Sequence, residues 1–247
     1  MSILDFIFGK KKNERLAVEK EKAQPTQIKQ ESKQPQRQAA SQAVDNNSNS
    51  NLSSDIDPCF NPRLLPNVKM TEHFSMIPIN ENTLGNDADT LATLLMFDKD
   101  TKAYMPDFTG FRAKENIAAY FLNSYMTQQM GIAFAYIIRY NAGICGLIKV
   151  TSPTHNKVTN NFNHWLIDYV LIPPMRGHKI MKSALPIVFD IMKNRLGITE
   201  PIYAMVLPGN DVSIHLLQLN HFVEETNANL PVDPTTGKKS LLYKKEL

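Results

Sequence analysis

The sequence of 247 residues contains only two cysteines, one tryptophan and ten glycines, and its net charge is no more than +3. Each scarcity removes a class of protein. Cys59 and Cys145 lie far apart and form no CxxC pair, which excludes a disulfide framework and makes a reducing, cytoplasmic compartment the expectation. The six histidines show no HExxH or short paired spacing, so no metal is expected. Walker, GxGxxG and GxSxG patterns are absent as well. The longest unbroken apolar run in the globular part, residues 132–138, is far shorter than the ~18 residues that span a bilayer, so no integral membrane protein is expected.

The charge is unevenly placed. Residues 1–70 hold 11 Lys and Arg against 8 Asp and Glu, and the remainder is balanced at 16 of each. A neutral remainder argues against a broad basic face for phosphate neutralisation, so no nucleic acid is expected as partner. Small amines, peptides or proteins fit better as ligands.

Residues 1–12 carry an apolar block and then Lys10, Lys11 and Lys12, the reverse of a secretory signal, so export is not expected. On a helix Ile3 and Ile7 would stack at i, i+4, as would Leu4 and Phe8, with Phe6 widening the stripe. Such an amphipathic segment suits the inner face of a membrane, where each lysine contributes about 1 kcal/mol on anionic lipid, or a partner's groove. It weakly resembles the membrane-targeting segment of the division-site regulator MinE, in its apolar stretch around Leu4-Asp5-Phe6 and its basic cluster.

Seven glutamines fall between Gln24 and Gln42, and residues 45–54 are almost entirely Asp, Asn and Ser. Ordering them would cost backbone entropy with nothing buried in return, so residues 13–70 are expected to be a disordered tether, with Pro58, Pro62 and Pro66 as its extended end. The third region, 71–247, is the expected folded domain.

Its periodicities predict a strand over 74–79 and helices over 87–97 and 113–129, then strands over 132–140 and 143–151 joined at Asn141-Ala142. A polar loop over 152–163 leads to a strand over 165–172, closed by Pro173-Pro174, which has no backbone donors for a ladder. A helix over 179–196, a strand over 202–207, a helix over 211–219 capped by Asn210 and a strand over 240–245 complete the pattern. This is an α/β chain with one mixed sheet and helices on both faces.

Two segments carry chemistry. Residues 169–181 run from a strand through Pro173-Pro174 into Arg176-Gly177-His178-Lys179-Ile180-Met181 at a helix start, and residues 208–222 hold Asn210 and Ser213 ahead of an apolar helix ending Asn220-His221-Phe222. Together they resemble the paired signatures of the GNAT N-acetyltransferases, the second ending being nearer the RimJ/RimL-like branch. The resemblance spans roughly residues 74–245 and implies the GNAT fold, a mostly antiparallel twisted sheet whose central strands splay beyond Leu171.

The resemblance also implies acetyl-CoA as co-substrate. Its pyrophosphate would sit on the turn Arg176, Gly177, His178, Lys179, Ile180 and Met181, where a helix N-terminus offers free N–H groups. Its pantetheine arm would lie along Leu171, Ile172 and Asn210. Ser213 would stand near the thioester as proton donor. Lys179 and Met181 replace the Gly and the Gly or Ala usual in the family, so Lys179 is expected to point outward or add its ammonium to the phosphate clamp.

Amine acetylation calls for a general base. The family's usual glutamate before Pro173 is missing, and Asp168 and His164 are the nearest titratable residues. Asp168, in an otherwise apolar strand, is the candidate, against a hydrogen-bonded carboxylate at the sheet surface. The acceptor would be a protein N-terminal amine or a small-molecule amine, chosen by loops 99–111 and 226–239. The rival expectation is a non-catalytic module of the same fold, recruited through residues 1–12 to a membrane or a membrane-bound partner.

Overall fold

A computed structural model describes residues 57–226, 230, 232 and 237–247. The amphipathic segment expected over 1–12 and all but the end of the tether lie outside the described residues.

The chain folds into strands β1 (Val68–Lys69) and β2 (Phe74–Pro78), then helices α1 (Asn86–Leu95), α2 (Lys99–Tyr104) and α3 (Ala113–Gln129). Strands β3 (Ala133–Tyr140) and β4 (Gly143–Thr151), helix α4 (Pro153–Asn160), strand β5 (Trp165–Leu171) and helix α5 (Ile180–Asp190) follow. Strand β6 (Ile202–Val206), helix α6 (Asp211–Leu219) and strands β7 (Val223–Glu224) and β8 (Leu241–Lys245) complete it. Among the described residues these form one eight-stranded sheet in the order β1-β2-β3-β4-β5-β6-β8-β7, antiparallel at every junction except β5–β6.

Alternation along the strands assigns the layers. Phe121, Ile117, Leu91 and Leu95 of α1 and α3 are fully buried on one face, and Leu185, Val188 and Met192 of α5 and the turn after it on the other. Each such side chain contributes about 1.5–3 kcal/mol of burial. Asp87, in the first turn of α1, is gripped by both Nη atoms of Arg139, which fixes that helix on β3.

Three stretches differ from the sequence expectation. Residues 58–70, grouped with the tether, pack against the domain: the Cys59 and Phe60 amides both donate to Gly131 O, and Phe60 sits edge-on to Phe134 with ring centroids 5.5 Å apart. Gly131 has φ +69, and a side chain there would strike Phe60 O, so the glycine admits this segment. The polar loop after β4 contains α4, whose start Ser152 caps by accepting from the His155 amide, with Pro153 in the first turn. Residues 99–104 are helical too, because Asp98 caps them through the Thr101 amide.

Candidate functional site

Strands β5 and β6 pair at only two registers, Trp165 with Ile202 and Leu166 with Tyr203. Beyond them β5 stays on β4 as far as Gly146–Leu171, while β6 stays on β8. The strands therefore part from Ile167 onward, earlier than the expected Leu171. Gly146 is the physical reason at the tip: a Cβ there would lie 2.6 Å from both Val170 O and a Leu171 methyl, so its absence lets β5 lean onto β4 and away from β6.

The parted strands open into a cleft of about 540 Å³. Its first wall is the turn into α5. Pro173–Met175 make one 3-10 turn, Gly177 takes φ +78, and Lys179 caps α5 in the left-handed region at φ 61, ψ 12. Glycine enters that region without cost, and a side chain raises the energy by roughly 1–2 kcal/mol, so Lys179 adopts the conformation for which a glycine would be chosen. No side chain caps α5. Its first-turn N–H groups thus face the cleft with the positive end of the helix dipole, beside the exposed Lys179 and Lys182.

The second wall is α6. Asn210 caps it, its Oδ1 accepting from the Ser213 amide at 3.3 Å. Ser213 Oγ lies 2.7 Å from the Tyr169 hydroxyl of β5. Burial pushes the Tyr169 phenol up to about 12, with the Ser213 hydrogen bond acting against that rise, so the phenol keeps its proton at neutral pH. Leu216 and Leu219 give this wall an apolar stripe.

Helix α2 crosses between the walls. Arg176 Nε donates to Leu171 O at 3.2 Å, one Nη lies 2.7 Å from Asp98 and 2.9 Å from Thr101 Oγ1, and the other reaches Asp100 at 3.2 Å. Burial raises the Asp98 carboxyl, but the hydrogen bonds from Arg176 and Thr101 outweigh it and hold the group below its ordinary value. At the far end of α2 the Tyr104 hydroxyl donates to Gly209 O at 2.6 Å.

Of the residues expected at the site, the cleft brings together Leu171, Arg176, Gly177, Lys179, Ile180, Met181, Asn210 and Ser213. Arg176 lines it with its guanidinium engaged by α2 and Leu171 O rather than free to grip phosphate. Ile172 does not line it: the side chain is buried and the amide donates to Cys145 O. His178 also stands outside, exposed, its Nδ1 2.9 Å from Arg176 O. His164 packs on Tyr203 at the opposite end of β5, ring centroids 4.6 Å apart.

Asp168 faces away from Ser213. Its register partner is the buried Lys149 of β4, and it occupies the face that carries α3, two residues past the last β5–β6 pair. It is open to solvent on one side, yet the surrounding protein raises its carboxyl pKa, with Lys149 pulling the other way. Asp168 is thus not among the residues that line the cleft: Tyr169 and Ser213 lie on one face of the sheet and Asp168 on the other.

Tyr169, Tyr104, Asp98, Asp100 and Thr101 escaped the sequence reading. Tyr169 carried a usable signal, since it alternates with Asp168 on a strand entering the motif, whereas the α2 residues reach the site only through the tertiary fold. Among the described residues no group of three or more His, Cys, Asp or Glu could hold a metal, and no helix is long and apolar enough to cross a membrane. The buried Cys145 thiol is pushed up to about 12 by burial, which makes it a poor nucleophile.

No protein-family model matches the chain, and no curated protein matches it at a significant level. Solved structures do. RimL, the ribosomal L7/L12 alpha-N-protein acetyltransferase, in complex with coenzyme A, superposes with a TM-score of 0.57 at 17% identity over 74% of this chain and 98% of that one. A ribosomal-protein-S5-alanine acetyltransferase from Vibrio fischeri gives 0.56 at 20% identity, over 73% and 96%. The microcin C7 self-immunity acetyltransferase MccE, in complex with acetyl-CoA and AMP, gives 0.53 at 15% identity, over 73% and 96%. The protein thus has the GNAT fold of RimL-type acetyltransferases.

Proposed function

We propose that the protein is an acetyl-CoA-dependent N-acetyltransferase acting on an amine. The observation that carries this is the union of two local features: strands that part from Ile167 onward, and an uncapped α5 N-terminus facing the gap behind a left-handed Lys179. Acetyl-CoA fits those features, and solved neighbours of the same fold hold coenzyme A or acetyl-CoA. When bound it supplies an activated acetyl group.

The α5 turn, with Gly177, Lys179, Ile180 and Met181, holds the pyrophosphate through backbone N–H groups, and Lys179 and Lys182 add positive charge. The edge of β5 that has parted from β6 offers main-chain partners to the pantetheine amides, beside a Leu171 carbonyl that accepts from Arg176, and Leu216 and Leu219 cover its apolar parts. Arg176 acts indirectly, by fixing α2 and the carbonyl of Leu171. On the cleft side, the Ser213 hydroxyl donates the proton that the departing thiolate requires and is resupplied from Tyr169. On the other face, the Asp168 carboxylate accepts the proton that the amine loses.

The acceptor is a protein N-terminal amine or a small-molecule amine. Neighbours described as acetylating ribosomal proteins L7/L12 and S5 support the first class.

Calorimetry on the full chain tests the reading: acetyl-CoA binds with micromolar affinity, and a panel of peptides with free N-termini gains 42 Da by mass spectrometry. No heat at any temperature and no thermal shift at millimolar acetyl-CoA would overturn it in favour of a non-catalytic interaction module.

A further inference from the structure

Lys149 stands on β4, on the sheet face opposite the cleft, and is only 5% exposed. Its ammonium lies 4.5 Å above the centroid of the Tyr120 ring and donates to Asn123 Oδ1 at 3.3 Å. None of the ion pairs among the described residues includes it. Burying an ammonium with so few partners destabilises a fold, and an apolar side chain of similar volume would serve packing as well or better. What the site gains is a cation next to Asp168, its direct partner across the β4–β5 ladder, where opposed Cβ atoms are about 4.5–5.5 Å apart.

We propose that Lys149 is a positioning residue for Asp168, its ammonium held by Tyr120 and Asn123 so that the neighbouring carboxylate stays ionised at the opening between β5 and β6. The proposal rests on Asp168 being the proton acceptor. The groups facing the pair are Tyr120 and Asn123 of α3 and His155 of α4. Burial pushes the Tyr120 phenol well above its ordinary value, with Asp168 adding to the rise, so it is uncharged at neutral pH. Burial and then Lys149 lower His155, whose buried Nδ1 has no hydrogen-bond partner among the described residues, so this ring is neutral there too. The charge that Asp168 meets is therefore that of Lys149, whose own pKa is lowered by burial with Asp168 pulling it back up. Although Asp168 is exposed on one side, the protein packed around it raises the carboxyl and Lys149 opposes that rise; removing the cation is expected to move the titration upward.

The test is a carbon-13 NMR titration of aspartate carboxyls in the full chain, with Asp168→Asn identifying the resonance. In Lys149→Met, and in Lys149→Gln should the first variant fail to fold, the Asp168 midpoint rises by about one pH unit, tenfold in proton affinity. Lys149→Arg keeps it near the wild-type value. The same midpoint in all the variants overturns the proposal. Where acetyl transfer is measured, the acid limb of kcat/KM moves upward with the midpoint in Lys149→Met. A midpoint that moves without the limb sinks Asp168 as the base, and the catalytic role of Lys149 with it, while leaving the acetyl-CoA site untouched.

Discussion

Strand β5 presents two different chemistries to its two faces. Toward α6 it offers Tyr169, a neutral phenol 2.7 Å from the Ser213 hydroxyl, in a cleft that Lys179, Lys182 and Asn210 line together with the apolar Leu216 and Leu219. Toward α3 it offers Asp168, a carboxylate opposite a buried lysine. One face of the strand thus carries paired hydroxyls and the other a carboxylate opposed to a lysine, at the level where β5 parts from β6. A pleated strand does this with adjacent residues, which is how one short sequence keeps a pair of hydroxyls and a carboxylate on opposite sides of the sheet.

The sharpest way to break this contrast is to disable the donor side. Tyr169→Phe and Ser213→Ala are each expected to lower kcat by ~10²-fold, and the double variant to fall little further, because the two hydroxyls act as a unit. Steady-state kinetics on the three variants checks this, and additive losses would separate their roles. Next in size, Lys179→Glu places an anion at the α5 N-terminus and should weaken acetyl-CoA binding by about tenfold or more in calorimetry, with unchanged secondary structure by circular dichroism.

Arg176→Ala tests the strap rather than the ligand. It leaves Asp98 without its cation and is expected to destabilise the chain by about 2 kcal/mol, read by denaturant unfolding. Because the folded Asp98 carboxyl titrates below its ordinary value, its contribution is present above about pH 4 and is lost as pH falls through the lower folded value. The wild type should therefore lose stability in that acid window, and Arg176→Ala should lose less there. The smallest effect is expected for Lys179→Gly, which relieves the left-handed strain and should raise stability by about 1 kcal/mol.

Much of this architecture was legible in the sequence where local periodicity and caps agree. Helix α3 and strand β4 have the bounds their patterns predicted, and α6 begins where Asn210 indicates. Helix α4 was missed because its eight residues include only one large apolar side chain, Val158, and that one is exposed, so no stripe marks it. Helix α2 was missed because six residues hold too little pattern. The site divides the same way. The two turns that form its walls are contiguous in sequence and could be read as such, whereas the left-handed backbone of Lys179 was not among the expectations. The pairing of Arg176 with Asp98, of Tyr104 with Gly209 and of Lys149 with Asp168 joins distant positions through the fold, and no spacing rule announces it.

Helix α2 has one more consequence. It is hooked at its start to the α5 turn through Asp98 and Thr101 and at its end to the α6 loop through Tyr104, and its six residues span about 9 Å. It therefore works as a gauge bar: its length sets the spacing of the two cleft walls it joins. Cutting either hook frees that spacing, so the two walls are held apart by one short helix.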